Sequence, residues 1–172
     1  MSLFGAAEGG DVAVTVDPVR DLSPEVLAPL IAESEHEGWR FVRRMADEWA
    51  VGTNRFDRPG EALFIARLGR SIIGICGLNA DPYTVDAATG RVRRLYVLRA
   101  YRRRGVGRQL VRAVIAAATG RFQRLRVRTE RPEAGLLYER LGFKPVTGEA
   151  DCTHTLELIR PEQSAVADRP RE

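Results

Sequence analysis

The chain has no long apolar run. None of its stretches approaches the roughly 20 apolar residues that a membrane-spanning helix needs, and the first residues, MSLFGAAEGGDV, lack the basic start and long apolar run of a signal peptide. We therefore expect a cytoplasmic protein that has no membrane partner. With 172 residues, of which 44% are hydrophobic, the chain fits one globular domain of ordinary size.

Cysteine is scarce. Cys76 and Cys152 lie far apart in strand-like segments and lack the spacing of metal ligands. This usage favours two buried or half-buried free thiols, with a single disulfide as the alternative, and no metal site is expected.

Acidic residues are missing from a long central segment. No Asp or Glu occurs between Asp86 and Glu130, a span that holds 13 arginines. Residues 1–90 carry 8 arginines against 14 acidic residues, whereas residues 91–172 carry 19 basic residues against 9 acidic ones. The asymmetry favours an anionic partner for the second half and a cationic partner for the first, and a solvated basic face is the alternative.

Apolar periodicity predicts a mixed order of strands and helices. Strands are predicted at 12–19, in a hairpin over 62–78, and at 91–98, 124–129 and 151–159, with helices in 23–52, at 105–119 and at 132–142. Pro29 and Gly38 predict that the segment 23–52 forms two helices. We place one domain at residues 12–160, between a leader of residues 1–11 and a disordered polar tail of residues 161–172.

The stretch YRRRGVGRQL, residues 101–110, joins a predicted strand to a predicted helix. Such a turn presents unpaired N–H groups and the positive end of a helix dipole, glycine allows close approach of an anion, and arginine adds charged donors. Leu110 stands where a dinucleotide fingerprint needs a third glycine, and the Gly-Lys-Ser/Thr of a P-loop is absent. These two nucleotide-binding motifs are therefore excluded, and a phosphate cradle of another kind, a strip for nucleic acid and a simple helix start remain as interpretations.

Two motifs carry a family resemblance. Arg102-x-x-Gly105-x-Gly107, after the strand RRLYV, resembles the acyl-CoA-binding signature of the GNAT superfamily of N-acetyltransferases. EAGLLYERLGF, residues 133–143, resembles the second signature of that family, and the matching residues are Ala134, Leu137, Tyr138, Gly142 and Phe143. From spacing alone, the second motif would be the core face of a helix.

The resemblance covers about residues 12–160 and implies both a fold and an activity. The implied fold is α+β, with a central, mostly antiparallel, twisted sheet of six or seven strands, helices on both faces, and strands that splay around the coenzyme site. The implied activity is transfer of an acetyl group from acetyl-CoA to a primary amine, which attacks the thioester directly. The acceptor would be a small-molecule or peptide amine, and a homodimer is expected because dimers are common among relatives.

The resemblance also assigns site residues. Those assigned to acetyl-CoA are Leu95, Tyr96, Val97, Arg102, Arg103, Arg104, Gly105, Val106, Gly107 and Arg108. Backbone amides of residues 103–108 would hold the pyrophosphate, and a backbone N–H near Val97 would stabilise the thioester oxygen as it gains charge. Tyr138 would be the general acid, because its phenol is a competent proton donor at neutral pH.

The general base is left open. Arg91 stands where many relatives have a glutamate, so Asp81, Glu130, His154 and a water chain remain as alternatives. Without an identified base, a catalytically silent acyl-CoA-binding or sensor protein is a second interpretation. A nucleic-acid-binding module is less favoured, because aromatic residues are sparse within the basic segment and no known motif occurs there.

The acceptor site of the family is built largely by the first helices and the hairpin. In this chain these segments hold acidic and aromatic residues, namely Glu33, Glu35, Glu37, Trp39, Phe41, Trp49 and Phe56. We hypothesise that the acceptor is a cationic or aromatic amine. The alternative is that the tryptophans belong to the core and the glutamates to a solvated face.

Overall fold

The computed structural model describes residues 13–158, which form seven strands and four α-helices. The strands are β1 (Val14–Val19), β2 (Ala62–Leu68), β3 (Ser71–Ala80), β4 (Thr89–Val97), β5 (Arg124–Val127), β6 (Lys144–Pro145) and β7 (His154–Glu157). The helices are α1 (Ala28–His36), α2 (Phe41–Val51), α3 (Val106–Ala118) and α4 (Pro132–Arg140). The leader and tail predicted at 1–11 and 161–172 lie outside the described residues.

The strands form one sheet in the order β1-β2-β3-β4-β5-β7-β6. Neighbouring strands are antiparallel except β4 and β5, which are parallel and are connected through α3. The expected α+β class, with a mostly antiparallel sheet, is therefore confirmed. The sequence prediction missed β6, because two residues, one of them proline, are too few to show an alternating pattern.

The segment predicted as two helices divides at Gly38. This glycine has a φ of +87° just after α1, a conformation that residues with a Cβ rarely adopt. Pro29 does not break a helix, because it lies in the first turn of α1, where the N–H that proline lacks would have no partner. A 3₁₀ turn, Pro24–Leu27, precedes α1.

Each face of the sheet has its own core. Helices α3 and α4 cover one face, where buried residues of α3 such as Leu110 and Val114 pack with Val92 and Leu125 of the sheet. Helices α1 and α2 cover the other face, where Met45 packs among other buried side chains. Within residues 13–158, no helix is long and apolar enough to cross a membrane.

Strands β4 and β5 pair over only a short length. Their register begins at Thr89 opposite Arg124 and ends at Arg91 opposite Arg126, although β4 continues to Val97. We call the space beside residues 92–97 of β4, where β5 no longer pairs, the β4–β5 gap. The resemblance implied splayed strands, and this is the place in the sheet where strands separate.

A bulge lies in the part of β4 that borders the gap. Gly77 of β3 is opposite Arg93, whereas Ile75 is opposite Tyr96, so β4 has one residue more than β3 over this interval. Arg94 has a φ of +62°, as bulged residues can. The bulge lets Arg93 and Arg94 both face the α1–α2 side, since Arg93 approaches Asn79 and Arg94 bonds to Glu48 of α2.

Candidate functional site

The β4–β5 gap exposes backbone groups of β4. The N–H of Leu98 donates to the carbonyl of Ile73 in β3 at 2.9 Å, so this N–H points toward β3. Because successive N–H groups of a strand point to opposite sides, the N–H of Val97 points away from β3 and into the gap. The strand end that the sequence assigned to the thioester thus presents a donor where no neighbouring strand uses it.

The arginine- and glycine-rich turn leads from β4 into α3. Arg103 and Gly105 have φ values of +61° and +80°, and left-handed residues of this kind can turn neighbouring N–H groups toward one side. In the described chain, the first N–H after Arg102 that donates to a backbone carbonyl is that of Gln109, which bonds to Gly105 at 3.0 Å. The N–H groups of residues 103–108 therefore remain available at the positive end of α3.

Arginine side chains surround these N–H groups. Arg103, Arg104 and Arg108 are exposed, and they take part in none of the ion pairs found between described residues. Backbone donors, a helix N-terminus and unpaired guanidinium groups in one turn form a site suited to a phosphate or pyrophosphate.

Arg102 is oriented differently from its neighbours. Its Nε donates to the carbonyl of Val97 at 2.8 Å, its Nη2 donates to Glu37 at 2.8 Å, and its guanidinium lies 5.3 Å from the ring centre of Tyr96. The side chain thus connects the end of β4 with the segment after α1. The bond from Arg102 also holds the pKa of Glu37 below its ordinary value.

Tyr138 of α4 lies against the α3 face of the sheet, within the core that includes Val97. It is 3% exposed, its ring packs edge-on against Phe143 at 5.3 Å, and burial raises the pKa of its phenol well above 10. The phenol therefore stays protonated at neutral pH. Its hydroxyl makes no hydrogen bond with the described residues. The oxygen is not completely enclosed, since it is not one of the buried polar atoms that lack a partner in the described chain. It can therefore donate to a ligand.

Gly107 brings three elements close together at the start of α3. A Cβ added to it would lie 3.2 Å from Cδ2 of Leu137 in α4 and 3.9 Å from Cγ2 of Val97 in β4. A large side chain at this position would therefore enter the space where the end of β4, the first turn of α3 and α4 meet.

The opposite face holds an acidic and aromatic network. The hydroxyl of Tyr96 lies 2.9 Å from Glu33 and 3.3 Å from Glu37, and the ring of Tyr96 packs edge-on against Phe41. Trp39 lies beside Phe41 and beneath the guanidinium of Arg131. The structure thus brings together four of the residues considered for the acceptor site, but their two carboxylates already accept hydrogen bonds from the protein.

The other three residues considered for the acceptor lie elsewhere. Trp49 and Phe56 are 5% and 4% exposed and belong to the core under α1 and α2. Glu35 forms an ion pair with Arg43 on the outer surface. For these three, the alternative of core residues and a solvated face is the better description.

The candidate bases are all engaged within the protein. Asp81 is fully buried and bonds to Arg126 at 2.9 Å, with Arg91 3.6 Å away. Glu130 forms an ion pair with Arg128 at 2.9 Å. Both ring nitrogens of His154 have neighbours, with Thr153 Oγ1 at 2.9 Å and Glu139 at 3.4 Å.

Sequence reasoning missed one group of residues on the α1–α2 face. Arg93 lines a cleft of about 250 Å³, and Arg94 bonds to Glu48, which also lines it; neither arginine was assigned a role. Only the absence of acidic residues around them signalled their importance. Alternation alone could not place both on the same face, because that placement depends on the bulge.

The described part of the chain contains no cluster of side chains suited to bind a metal ion. No group of three or more His, Cys, Asp or Glu side chains within residues 13–158 could hold a metal ion. Both cysteines are free and buried, and burial raises the pKa of the Cys76 thiol to about 12.

Comparisons with known proteins agree with this geometry. Residues 59–145, about half of the chain, match the family model of the acetyltransferase (GNAT) domain. A proposed acetyltransferase of Exiguobacterium sp. 255-15 is 32% identical to this chain, and its structure matches with a TM-score of 0.75. The match covers 92% of this chain and 99% of the Exiguobacterium chain. No functionally curated protein matches the chain.

Two further solved structures share the fold. A GNAT-family acetyltransferase of Staphylococcus aureus Mu50 is 16% identical to this chain and matches with a TM-score of 0.67. The match covers 86% of this chain and 100% of the Staphylococcus chain. An acetyltransferase of Streptococcus agalactiae 2603 is 17% identical to this chain and matches with a TM-score of 0.67. The match covers 85% of this chain and 98% of the Streptococcus chain.

Proposed function

Because the chain belongs to the GNAT superfamily of N-acetyltransferases and is thus an acyltransferase of the EC 2.3.1 class, we propose that it transfers an acetyl group from acetyl-CoA to a primary amine. The observation that carries the proposal is the convergence of the β4–β5 gap, the arginine- and glycine-rich turn and Tyr138 at one end of α3. Acetyl-CoA would supply the thioester that the amine attacks.

The residues present fit acetyl-CoA. The unpaired N–H groups of residues 103–108 and the exposed Arg103, Arg104 and Arg108 offer donors to the pyrophosphate. The free backbone edge of Leu95–Val97 offers partners to the amides of the pantetheine. Arg102 would act by holding Val97 and the turn in place, because its guanidinium is committed to Glu37 and to the Val97 carbonyl.

Two groups would act on the reacting atoms. The N–H of Val97 would donate to the thioester oxygen as negative charge develops on it, which favours the transition state over the ground state. The Tyr138 hydroxyl would give its proton to the departing thiolate. The ammonium form of the acceptor must lose a proton first, and since Asp81, Glu130 and His154 are engaged elsewhere, we propose that this proton passes to water.

Thiol release from acetyl-CoA over a panel of amines tests the proposal. Buried Cys76 and Cys152 should add little background to a thiol reagent, because the thiolate is the reactive form and the pKa of Cys76 is raised to about 12. We expect release that depends on an added amine. Calorimetric binding of acetyl-CoA without release by any amine would instead support the silent sensor, and absence of binding would contradict both interpretations.

Replacing Tyr138 by Phe should slow the chemical step with little effect on coenzyme binding. We expect kcat to fall by about 10- to 100-fold, at or below the low end for general acids, since a thiolate with a pKa of about 8.5 already leaves well. Single-turnover thiol release would measure the change. Phe143→Leu is a matched control, since it alters the packing around Tyr138 and retains the hydroxyl; an equal loss in both variants would assign Tyr138 to packing alone.

The cytoplasmic location, the homodimer and the domain limits 12–160 stay predictions.

A further inference from the structure

The α1–α2 face of β4 carries more positive charge than its buried carboxylates can pair. Four arginines lie on this part of the sheet, namely Arg91, Arg93 and Arg94 of β4 and Arg126 of β5. Asp81 is shared between Arg91 and Arg126, and Arg126 also forms an ion pair at 3.5 Å with the partly exposed Glu149. Glu48 is bonded to Arg94 at 3.1 Å. Arg93 has no carboxylate within 4 Å among the described residues, and its nearest acceptor is the amide oxygen of Asn79 at 3.4 Å.

Three of these arginines also have buried nitrogens without a hydrogen-bond partner. In the described chain they are Nη1 of Arg91, Nε of Arg94 and Nε of Arg126. The three side chains are only 7%, 9% and 9% exposed. Burying a cation without full pairing is costly, so this face attracts anionic oxygen.

A cleft opens beside these arginines. It has a volume of about 250 Å³, and its wall includes Arg93, Arg58, Glu61 and the Asn54–Asn79 pair. The two amides bond to each other at 3.0 and 3.2 Å and fix that side of the cleft. Two glutamates also line the cleft, Glu61, which accepts the N–H of Ala80, and Glu48, which is bonded to Arg94. Among the described residues neither Arg58 nor Arg93 has a carboxylate partner, so both guanidinium groups remain available to an anion.

Arg93, which lines the cleft, lies on the strand that borders the β4–β5 gap. Arg93 is two residues beyond Arg91, the last residue of β4 that pairs with β5, and it is four residues before Val97. A small molecule held at Arg93 could therefore extend an amine toward the gap along the same strand. Glu48 of α2 lines this cleft and is bonded to Arg94. Glu33 and Glu37, which suggested a cationic acceptor, are not among its lining residues and are bonded to Tyr96 and Arg102.

We propose that Arg93, with Arg58 and the buried Arg91 and Arg94 behind it, binds a carboxylate of the acceptor, so that the preferred substrate is a small amine that carries a carboxylate. The inference rests on the proposed function, and it adds an anionic group to the cationic or aromatic amine expected from the sequence. A guanidinium binds a carboxylate through two parallel hydrogen bonds, which fixes the orientation of the rest of the molecule.

Matched amines that differ only in the carboxylate test this inference. Lysine and cadaverine, tyrosine and tyramine, and histidine and histamine are titrated into the protein in the presence of coenzyme A, and binding is measured by calorimetry. We expect at least one carboxylate-bearing member to bind about tenfold or more tightly than its partner, as one charge-assisted bond can provide. Equal binding, tighter binding of the decarboxylated members, or no binding of any member would overturn the proposal.

Variants then assign the effect to Arg93. Arg93→Gln should weaken binding of the preferred amino acid about tenfold and leave binding of its decarboxylated partner unchanged, whereas Arg93→Lys should restore part of the preference. Arg70→Gln, at the exposed turn between β2 and β3, is the matched control and should leave both constants unchanged. A preference that persists in Arg93→Gln would overturn the assignment.

This binding result is independent of turnover. If thiol release fails for every amine while the binding preference is present, the proposed acetyl transfer is wrong and the carboxylate site stands. If thiol release occurs with amines that lack a carboxylate as readily as with their partners, the carboxylate site is wrong and acetyl transfer stands.

Discussion

Gly107→Trp should weaken binding of acetyl-CoA by about 100-fold or more while leaving the protein folded. The indole would enter the space between α3, α4 and the end of β4, since even a Cβ at Gly107 lies 3.2 Å from Leu137. Loss of two charge-assisted hydrogen bonds to the pyrophosphate, at about 1.5 kcal/mol each, corresponds to a dissociation constant raised by about 100-fold or more. Isothermal calorimetry with acetyl-CoA measures this change.

The matched control places the same side chain two residues later, on the exposed side of α3. Gln109→Trp puts an indole on the exposed surface of α3 and should bind the coenzyme like the parent chain. Gly107→Ala should fold and bind, because the one tight contact of its Cβ is with the tip of the flexible Leu137 side chain. Thermal unfolding confirms that each variant is folded, and coenzyme binding by a folded Gly107→Trp variant at parental strength would refute the cradle.

Asp81→Ala should cost about 3–5 kcal/mol of folding free energy, which is the usual consequence of removing one partner from a buried ion pair. Asp81 is fully buried, bonds to Arg126 at 2.9 Å and also accepts the N–H of Tyr83 at 2.9 Å. Its loss leaves the buried Arg91 without a carboxylate partner among the described residues and leaves Arg126 with only the partly exposed Glu149. Urea denaturation would show a lower midpoint with an unchanged slope.

An exposed ion pair between β5 and β7 is the control for Asp81. Arg124 and Glu157 are bonded, but their side chains are 44% and 67% exposed, so Glu157→Gln should cost less than about 1 kcal/mol. A cost for Asp81→Ala no larger than that of Glu157→Gln would contradict the assignment of Asp81 as the counter-ion of this sheet face. Asp81→Asn separates the charge from the hydrogen bond to Tyr83.

Much of the fold could be predicted, because long elements have strong periodicity. Helix α3 was expected at 105–119 and forms at Val106–Ala118, and the hairpin of β2 and β3 was expected at 62–78. Pro29 was misleading, since its effect depends on its position within a helix that the sequence does not delimit. Short β6 gave no signal at all.

The candidate site was only partly visible in the sequence. The two motifs predict the positions of Gly105, Gly107 and Tyr138, because each of these residues belongs to a turn or helix that the local sequence specifies. The direction of Arg102 could not be predicted, since it depends on Glu37, 65 residues earlier in the chain. The same holds for the face of Arg94, which is set by a bulge against β3, and for Trp49 and Phe56, whose aromatic character suits a core as well as a binding site.

The gap between β4 and β5 amounts to a vacant place for a strand. The core beneath it is continuous, since Val97, Leu110, Tyr138 and Phe143 belong to one cluster. The hydrogen-bonding groups left over on β4 are held in extended form before any ligand arrives. An extended molecule with amides can add to this edge as a further strand would, and its binding then needs little rearrangement of the sheet.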